Sequence, residues 1–235
     1  MAIDKAVDSA VLDAGLTAVA NAIREKAGTD GALAFPDGLV EAIAAIESGV
    51  GGDDGSFKAV IERTAVNLTL PSDLTIIGGG AFYSYNGLRL TSLPDGVTSI
   101  GTDAFYNCGN IRLTSLPDGV TSIGAAAFQG CVNLALTSLP DGVTIINKNA
   151  FYNCSNLALT SLHDGVTIIN NNAFRGCTNL TELTFKGKPS SISSSAFSGC
   201  TNLLTINVPW AEGEVANAPW GATNATINYN YVEEG

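Results

Sequence analysis

What this sequence has little of narrows its function first. Histidine occurs once, at His163. A general base needs an orienting acid and a nucleophile within reach. The neighbouring Asp164 has counterparts at Asp95, Asp118 and Asp141 that stand beside no histidine, so His163 reads as a surface substitution and no catalytic residue is assigned. There is no Cys-x-x-Cys pair, which argues against a structural zinc site. No phosphate-cradling glycine loop or hydrolase triad signature occurs. Basic residues are scarce as well: 11 Lys and Arg against 22 Asp and Glu give a net charge of −11. A surface of that sign repels phosphate backbones, so no nucleic acid is expected as a partner; it also favours solubility. No apolar run approaches the ~18 residues of a membrane span, so no membrane insertion is expected. Met1 to Leu16 carries Asp4, Asp8 and Asp13 where a secretory signal would place basic and then apolar residues. The expectation is synthesis in the cytoplasm without a signal peptide, with any action outside the cell needing another route.

What is present is apolar content and a period. Apolar residues make up 46% of the 235-residue chain, enough for a sizeable core. From Leu70 the sequence divides into seven blocks of 23 residues, the last, from Val208, degenerate. Phe82, Phe105, Phe128, Phe151, Phe174 and Phe197 recur at one block position, and Trp220 takes it in the seventh. Ile77, Ile100, Ile123, Ile146, Ile169, Ile192 and Val215 form a second row. Leu70, Leu93, Leu116, Leu139, Leu162, Phe185 and Val208 form a third. One block cannot bury these side chains alone, whereas stacked blocks bury them as continuous columns. At a strand spacing of about 4.8 Å the stack is roughly 35 Å long.

Each block reads in parts. An extended segment such as 134–139 forms an inner parallel sheet, Pro-Asp-Gly turns the chain, a Val-Thr-x-Ile stretch follows, and about one helical turn surrounds Ala-Phe on the outside. Asn110, Asn133, Asn156, Asn179 and Asn202 precede each opening aliphatic residue, where an amide can satisfy backbone groups left unpaired at the bend. Cys108, Cys131, Cys154, Cys177 and Cys200 also lie 23 apart, with Tyr85 at the place of a first one. In-register side chains point the same way and five is odd, so these read as buried free thiols. The row Asp95, Asp118, Asp141 and Asp164 offers one carboxylate per block, which suits turn chemistry better than calcium. Triplets matching the glycosylation acceptor, such as Asn67-Leu68-Thr69 and Asn153-Cys154-Ser155, read as chance.

The repeat Ala-Phe-x-x-Cys-x-Asn-Leu followed by Leu-Pro-x-Gly-Val-x-x-Ile resembles the BspA-type leucine-rich repeat family of bacteria over roughly residues 66–230. That resemblance implies an α+β chain: a right-handed leucine-rich-repeat solenoid of seven 23-residue repeats, with a small N-terminal helical segment. The stretches Leu16 to Arg24 and Phe35 to Ile43, and the closing Val208 to Gly221, resemble segments of tail-associated proteins from phages and prophages of Gram-positive gut bacteria. The organisation expected is a two-helix anchor over 1–48, a Gly-rich linker over 49–56, a capping strand over 57–69, six repeats over 70–207 and a terminal repeat with cap over 208–235. Leu12, Leu16, Val19 and Ile23 share one helical face, and Leu39, Ile43 and Ile46 another. Two short helices bury little by themselves, so they anchor the chain to a particle or a second copy, or cap the solenoid.

One irregularity bears on binding. Late blocks show apolar residues spaced as Leu180, Leu183, Phe185; middle blocks space them as Leu134, Leu136, Leu139. Side chains alternate across a strand, so offsets of two and five share a face only through a bulge. Either the middle copies bulge, or Leu90, Leu113, Leu136 and Leu159 face outward on the concave surface. In the second case the candidate site is Arg89, Leu90, Thr91, Arg112, Leu113, Thr114, Leu136, Thr137, Leu159 and Thr160. The reading that follows is a non-catalytic, cofactor-free and metal-free protein, located in a virion tail or extracellularly. Its repeats would meet a protein or glycan on a host cell surface, and its N-terminal helices would hold other virion proteins or form a homo-oligomer. The alternative is a cell-surface adhesin binding host or matrix proteins.

Overall fold

The structure is a computed structural model that describes Leu68 and residues 70–232. The anchor, the linker and nearly all of the expected capping strand lie outside the described residues; Leu68 packs partly buried against the core. Within the described residues the chain is a parallel β-solenoid of about seven turns, and no helix occurs among them. The α+β expectation therefore finds only its β part here.

The Val-Thr-x-Ile stretches make six short strands: β1 (Ile76–Ile77), β2 (Ser99–Ile100), β3 (Ser122–Ile123), β4 (Ile145–Ile146), β6 (Ile168–Ile169) and β8 (Ser191–Ile192). Each pairs with its counterpart 23 residues on, in parallel, except that β3 and β4 are not bridged. The second set is β5 (Ser161–Leu162), β7 (Glu182–Phe185), β9 (Thr205–Asn207) and β10 (Thr226–Asn228), ordered β10-β9-β7-β5. The expected inner sheet is thus regular only in the later turns. Earlier turns remain stacked without forming strands: the Arg112, Ala135 and Ala158 amides donate to the carbonyls of Leu90, Leu113 and Leu136 at 2.8, 3.0 and 3.0 Å.

The reason is the bulge. In the early turns Leu88, Leu90 and Leu93 are all buried, as are Leu134, Leu136 and Leu139. The two residues after the second leucine are exposed, so the chain bulges late in the segment. In the turn of β7 the exposed pair Thr181-Glu182 comes first, and Leu183 and Phe185 then alternate inward as a strand requires. Leu90, Leu113, Leu136 and Leu159 are 4%, 0%, 0% and 2% exposed. They are core residues, which corrects their place in the candidate surface.

The Ala-Phe segments are also different from expectation. Instead of a helical turn they are tight turns stacked on each other, with left-handed residues four apart: Asp103 and Asn107, Ala126 and Gly130, Asn149 and Asn153, Asn172 and Gly176. Alternate amides point to different partners. Phe105 donates to Ala127 O of the next turn at 2.8 Å, while Tyr106 donates back to Asp103 O at 3.1 Å. A helix would direct every amide along its own axis; here half of them tie neighbouring repeats together. The phenylalanine rings form one stack, with centroids 5.2 to 5.7 Å apart and planes within 11°. At the far end Phe185, Trp210 and Trp220 meet at steeper angles and close the column. Trp220 is fully buried, and its indole N–H donates to Ala216 O at 2.8 Å.

Candidate binding surface

The interior holds little chemistry. Each cysteine thiol donates to the carbonyl of a phenylalanine one repeat back: Cys108 to Phe82, Cys131 to Phe105, Cys154 to Phe128, Cys177 to Phe151 and Cys200 to Phe174, at 2.8 to 3.1 Å. All five are free and buried, as the sequence suggested. Burial pushes the thiols of Cys131, Cys154 and Cys177 well above their ordinary range, with the neighbouring thiols adding to the effect. The thiol of Cys200, nearer the end of the stack, is pushed up to about 11, again by burial. High thiol pKa values suit a structural role and oppose nucleophilic chemistry.

The asparagine row bridges repeats from a more accessible position than its role suggests. Asn110, Asn133, Asn179 and Asn202 donate side-chain N–H to carbonyls of Asn86, Gly109, Asn156 and Thr178. Asn156 instead reaches Asn133 Oδ1 at 3.4 Å. His163 is half-buried in the turn position held by proline elsewhere. Val166 N–H closes the same turn onto His163 O that Val143 closes onto Pro140 O. Its Nδ1 accepts from Gly165 N–H at 3.2 Å, and no nucleophilic side chain among the described residues bonds to it. The aspartates of the turn row are exposed, and no metal-holding cluster is found among the described residues.

That leaves the outward-facing residues of the 88–93 segment and its counterparts. Arg89 and Arg112 are exposed on adjacent turns, as are Thr91, Thr114, Thr137 and Thr160. Ser92, Ser115 and Ser138 stand beside them, also exposed. Two threonine rows differ sharply here. In one row the hydroxyls of Thr98, Thr121 and Thr167 donate to the carbonyl of the previous turn, at 3.1 to 3.4 Å, though that of Thr144 does not. The hydroxyls of the row from Thr91 to Thr160 have no such partner within the described chain, nor do the two guanidinium groups. The later part of the same face is built otherwise, and sequence reading missed it. Asn207 is buried and donates to Glu182 Oε1 at 2.7 Å and Thr184 Oγ1 at 3.2 Å, while Asn228 donates to Asn207 Oδ1 at 2.7 Å. Leu204, 58% exposed, lies on this part. The available signal was the shift of the apolar positions by one at Leu183 and Ile206, which turns Glu182 and Thr205 outward.

A cleft at the C-terminal end is lined by Glu212, Val215, Pro219, Ile227 and Tyr229, among others. Burial, with Glu212 adding, raises the Tyr229 hydroxyl above its usual value.

Comparison with known proteins agrees with this architecture. The family described as "BspA type Leucine rich repeat region" matches residues 55–157 and 100–217, with six copies. The crystal structure of a leucine rich repeat protein of T. pallidum is 28% identical, with a TM-score of 0.50, over 61% of this chain and 72% of that one. A leucine rich cell surface protein from Faecalibacterium prausnitzii is 24% identical at a TM-score of 0.39, over 74% of this chain and 62% of that one. The pneumococcal vaccine antigen PcpA is 20% identical at 0.45, over 71% of this chain and 42% of its own. No curated protein matches the chain.

Proposed function

The chain belongs to the BspA-type leucine-rich repeat family, and from that premise we propose that it is a non-catalytic surface-binding protein of adhesin type. The carrying observation is the distribution of polar side chains. The interior is filled by apolar columns and capped thiols. One face presents Arg89, Arg112 and the Thr91 to Thr160 row with their side-chain bonding groups unused among the described residues. Solenoids recognise partners through such extended surfaces rather than through pockets. The purified chain, fluorescently labelled, is expected to bind host cells or immobilised matrix protein saturably. Loss of binding on mutating the Arg89–Thr160 face, with the fold intact, supports the reading. Undiminished binding, or none by the parent chain, sinks it.

The finer setting, a phage or prophage tail, is supported by the resemblance of residues 16–43 and 208–221 to tail-associated proteins. The first of these segments lies outside the described residues. Mass spectrometry of purified particles tests it: recovery with tail proteins supports the assignment, and recovery only from uninfected cells contradicts it.

A further inference from the structure

We propose that the face carrying Arg89 and Arg112 binds a linear polysaccharide that bears carboxylates. This deepens the binding function proposed above and rests on it.

Three observations support the assignment. The first is uncompensated charge. Arg89 and Arg112 occupy the same position on consecutive turns, and Arg112 N–H bonds Leu90 O at 2.8 Å, so the two residues are in adjacent register. Neighbouring strands lie about 4.8 Å apart, and like charges directly opposite on such neighbours destabilise each other. Neither arginine has an ion-pair partner among the described residues, although the chain carries an excess of 11 negative charges. A polyanion lying across both turns relieves that repulsion and offers each planar guanidinium a carboxylate.

The second observation is the row of unused hydroxyls. Thr91, Thr114, Thr137 and Thr160 repeat on successive turns, with Thr137 N–H bonded to Thr114 O at 3.3 Å, and Ser92, Ser115 and Ser138 beside them. Each hydroxyl both donates and accepts, which suits the hydroxyls and ring oxygens of a sugar. A peptide presents an amide at every residue and would satisfy its own backbone on a sheet edge, which this face is not.

The third is the border. Asp95, Asp118, Asp141 and Asp164 form an exposed acidic row a few residues beyond the serines. It repels an anion and confines the sugar chain to the arginine side. In the later turns Glu182 takes the outward place, so the anion-binding part ends before it.

Full-length protein is tested against immobilised polygalacturonate, its methyl-ester form and polyglutamate. Polygalacturonate is expected to bind in a salt-sensitive way. Esterification is expected to weaken binding. The double change Arg89→Gln with Arg112→Gln is expected to weaken it about tenfold, the size of two exposed charge-assisted contacts. Thr114→Val with Thr137→Val is expected to weaken it several-fold, and Asp95→Asn with Asp118→Asn to strengthen it. Equal affinity for polyglutamate, equal affinity for the ester, or indifference to the arginine changes overturns the proposal. If the chain binds host cells while the arginine changes leave that binding intact and polygalacturonate is ignored, the glycan assignment alone fails. If it binds no cell surface at all, the broader function fails with it.

Discussion

The six strands of the Val-Thr-x-Ile row fall into two ladders of three, and the boundary coincides with a change of residue. After β1, β2 and β3 comes glycine: Gly78, Gly101 and Gly124. After β4, β6 and β8 come Asn147, Asn170 and Ser193. In the first ladder the turns approach so closely that a Cβ at Gly101 or Gly124 would collide with the backbone of the preceding turn. The second ladder carries side chains at that position, so its turns stand differently. Within each ladder the backbone bond across the position survives: Gly124 N–H donates to Ile100 O at 2.8 Å and Asn170 N–H to Ile146 O at 2.9 Å. At the junction β3 and β4 are not bridged. The Asn147 side-chain amide reaches Ile123 O instead, at 2.8 Å. The junction is felt in the core, where Phe128 and Phe151 have the widest ring separation of the column, 5.7 Å. A periodic stack therefore tolerates either residue class, provided that consecutive turns agree.

The largest effect should come from breaking the column where it crosses that junction. Phe151 is fully buried between Phe128 and Phe174, and Phe151→Ala is expected to cost about 3–5 kcal/mol in denaturant unfolding. A change below about 1 kcal/mol would mean that the column contributes little to stability. Next is Gly124→Ala. Its methyl group would meet the backbone of Gly101 and Thr102, which cannot rotate away. A loss of about 1–3 kcal/mol is expected, as for overpacking. A neutral result would show that the first ladder can adopt the spacing of the second.

The period, the core rows and the buried thiols were legible in the sequence because each depends on an apolar side chain recurring every 23 residues. Where several backbone routes satisfy one pattern, legibility stopped. Leu90, Leu113, Leu136 and Leu159 could face either way until the bulge was seen. The Ala-Phe turns were read as helical because apolar spacing does not register that Asp103, Asn107, Ala126 and Asn149 are left-handed. Asn and Asp tolerate that conformation, and their recurrence there was the missed signal. On the surface Arg89, Thr91, Arg112 and Thr114 are exposed, but the hydrogen bonding that separates one threonine row from another has no signature in composition.

The thiols extend the comparison from junctions to ends. The native pKa values of Cys131, Cys154, Cys177 and Cys200 lie above the unfolded one, so their contribution is full below about pH 9 and is lost as pH rises through the native values. For Cys200 that window runs from about 9 to about 11. Stability is expected to fall by up to about 1.4 kcal/mol per pH unit for each such thiol. Denaturation series at pH 8, 9 and 10 check this, and a flat profile contradicts it. Alkylation should reach Cys200 before Cys154 and Cys177, which lie within the stack.

The smallest effect is the most diagnostic of the junction. Asn147→Ala removes the side-chain amide that donates to Ile123 O, where the neighbouring backbone makes no bond. Leaving that carbonyl without its donor should cost about 1 kcal/mol. Asn170→Ala is the control: Ile146 O keeps the backbone N–H of residue 170, so the cost should be a few tenths of a kcal/mol. Both are half-buried asparagines one turn apart in the same row. Helix or strand propensity, side-chain entropy and lost surface burial should therefore nearly cancel between them. The difference in urea midpoint at equal slope then isolates the bridging bond. If the two variants unfold alike, the amide at Asn147 is a surface contact, and the break between the ladders is held by something else.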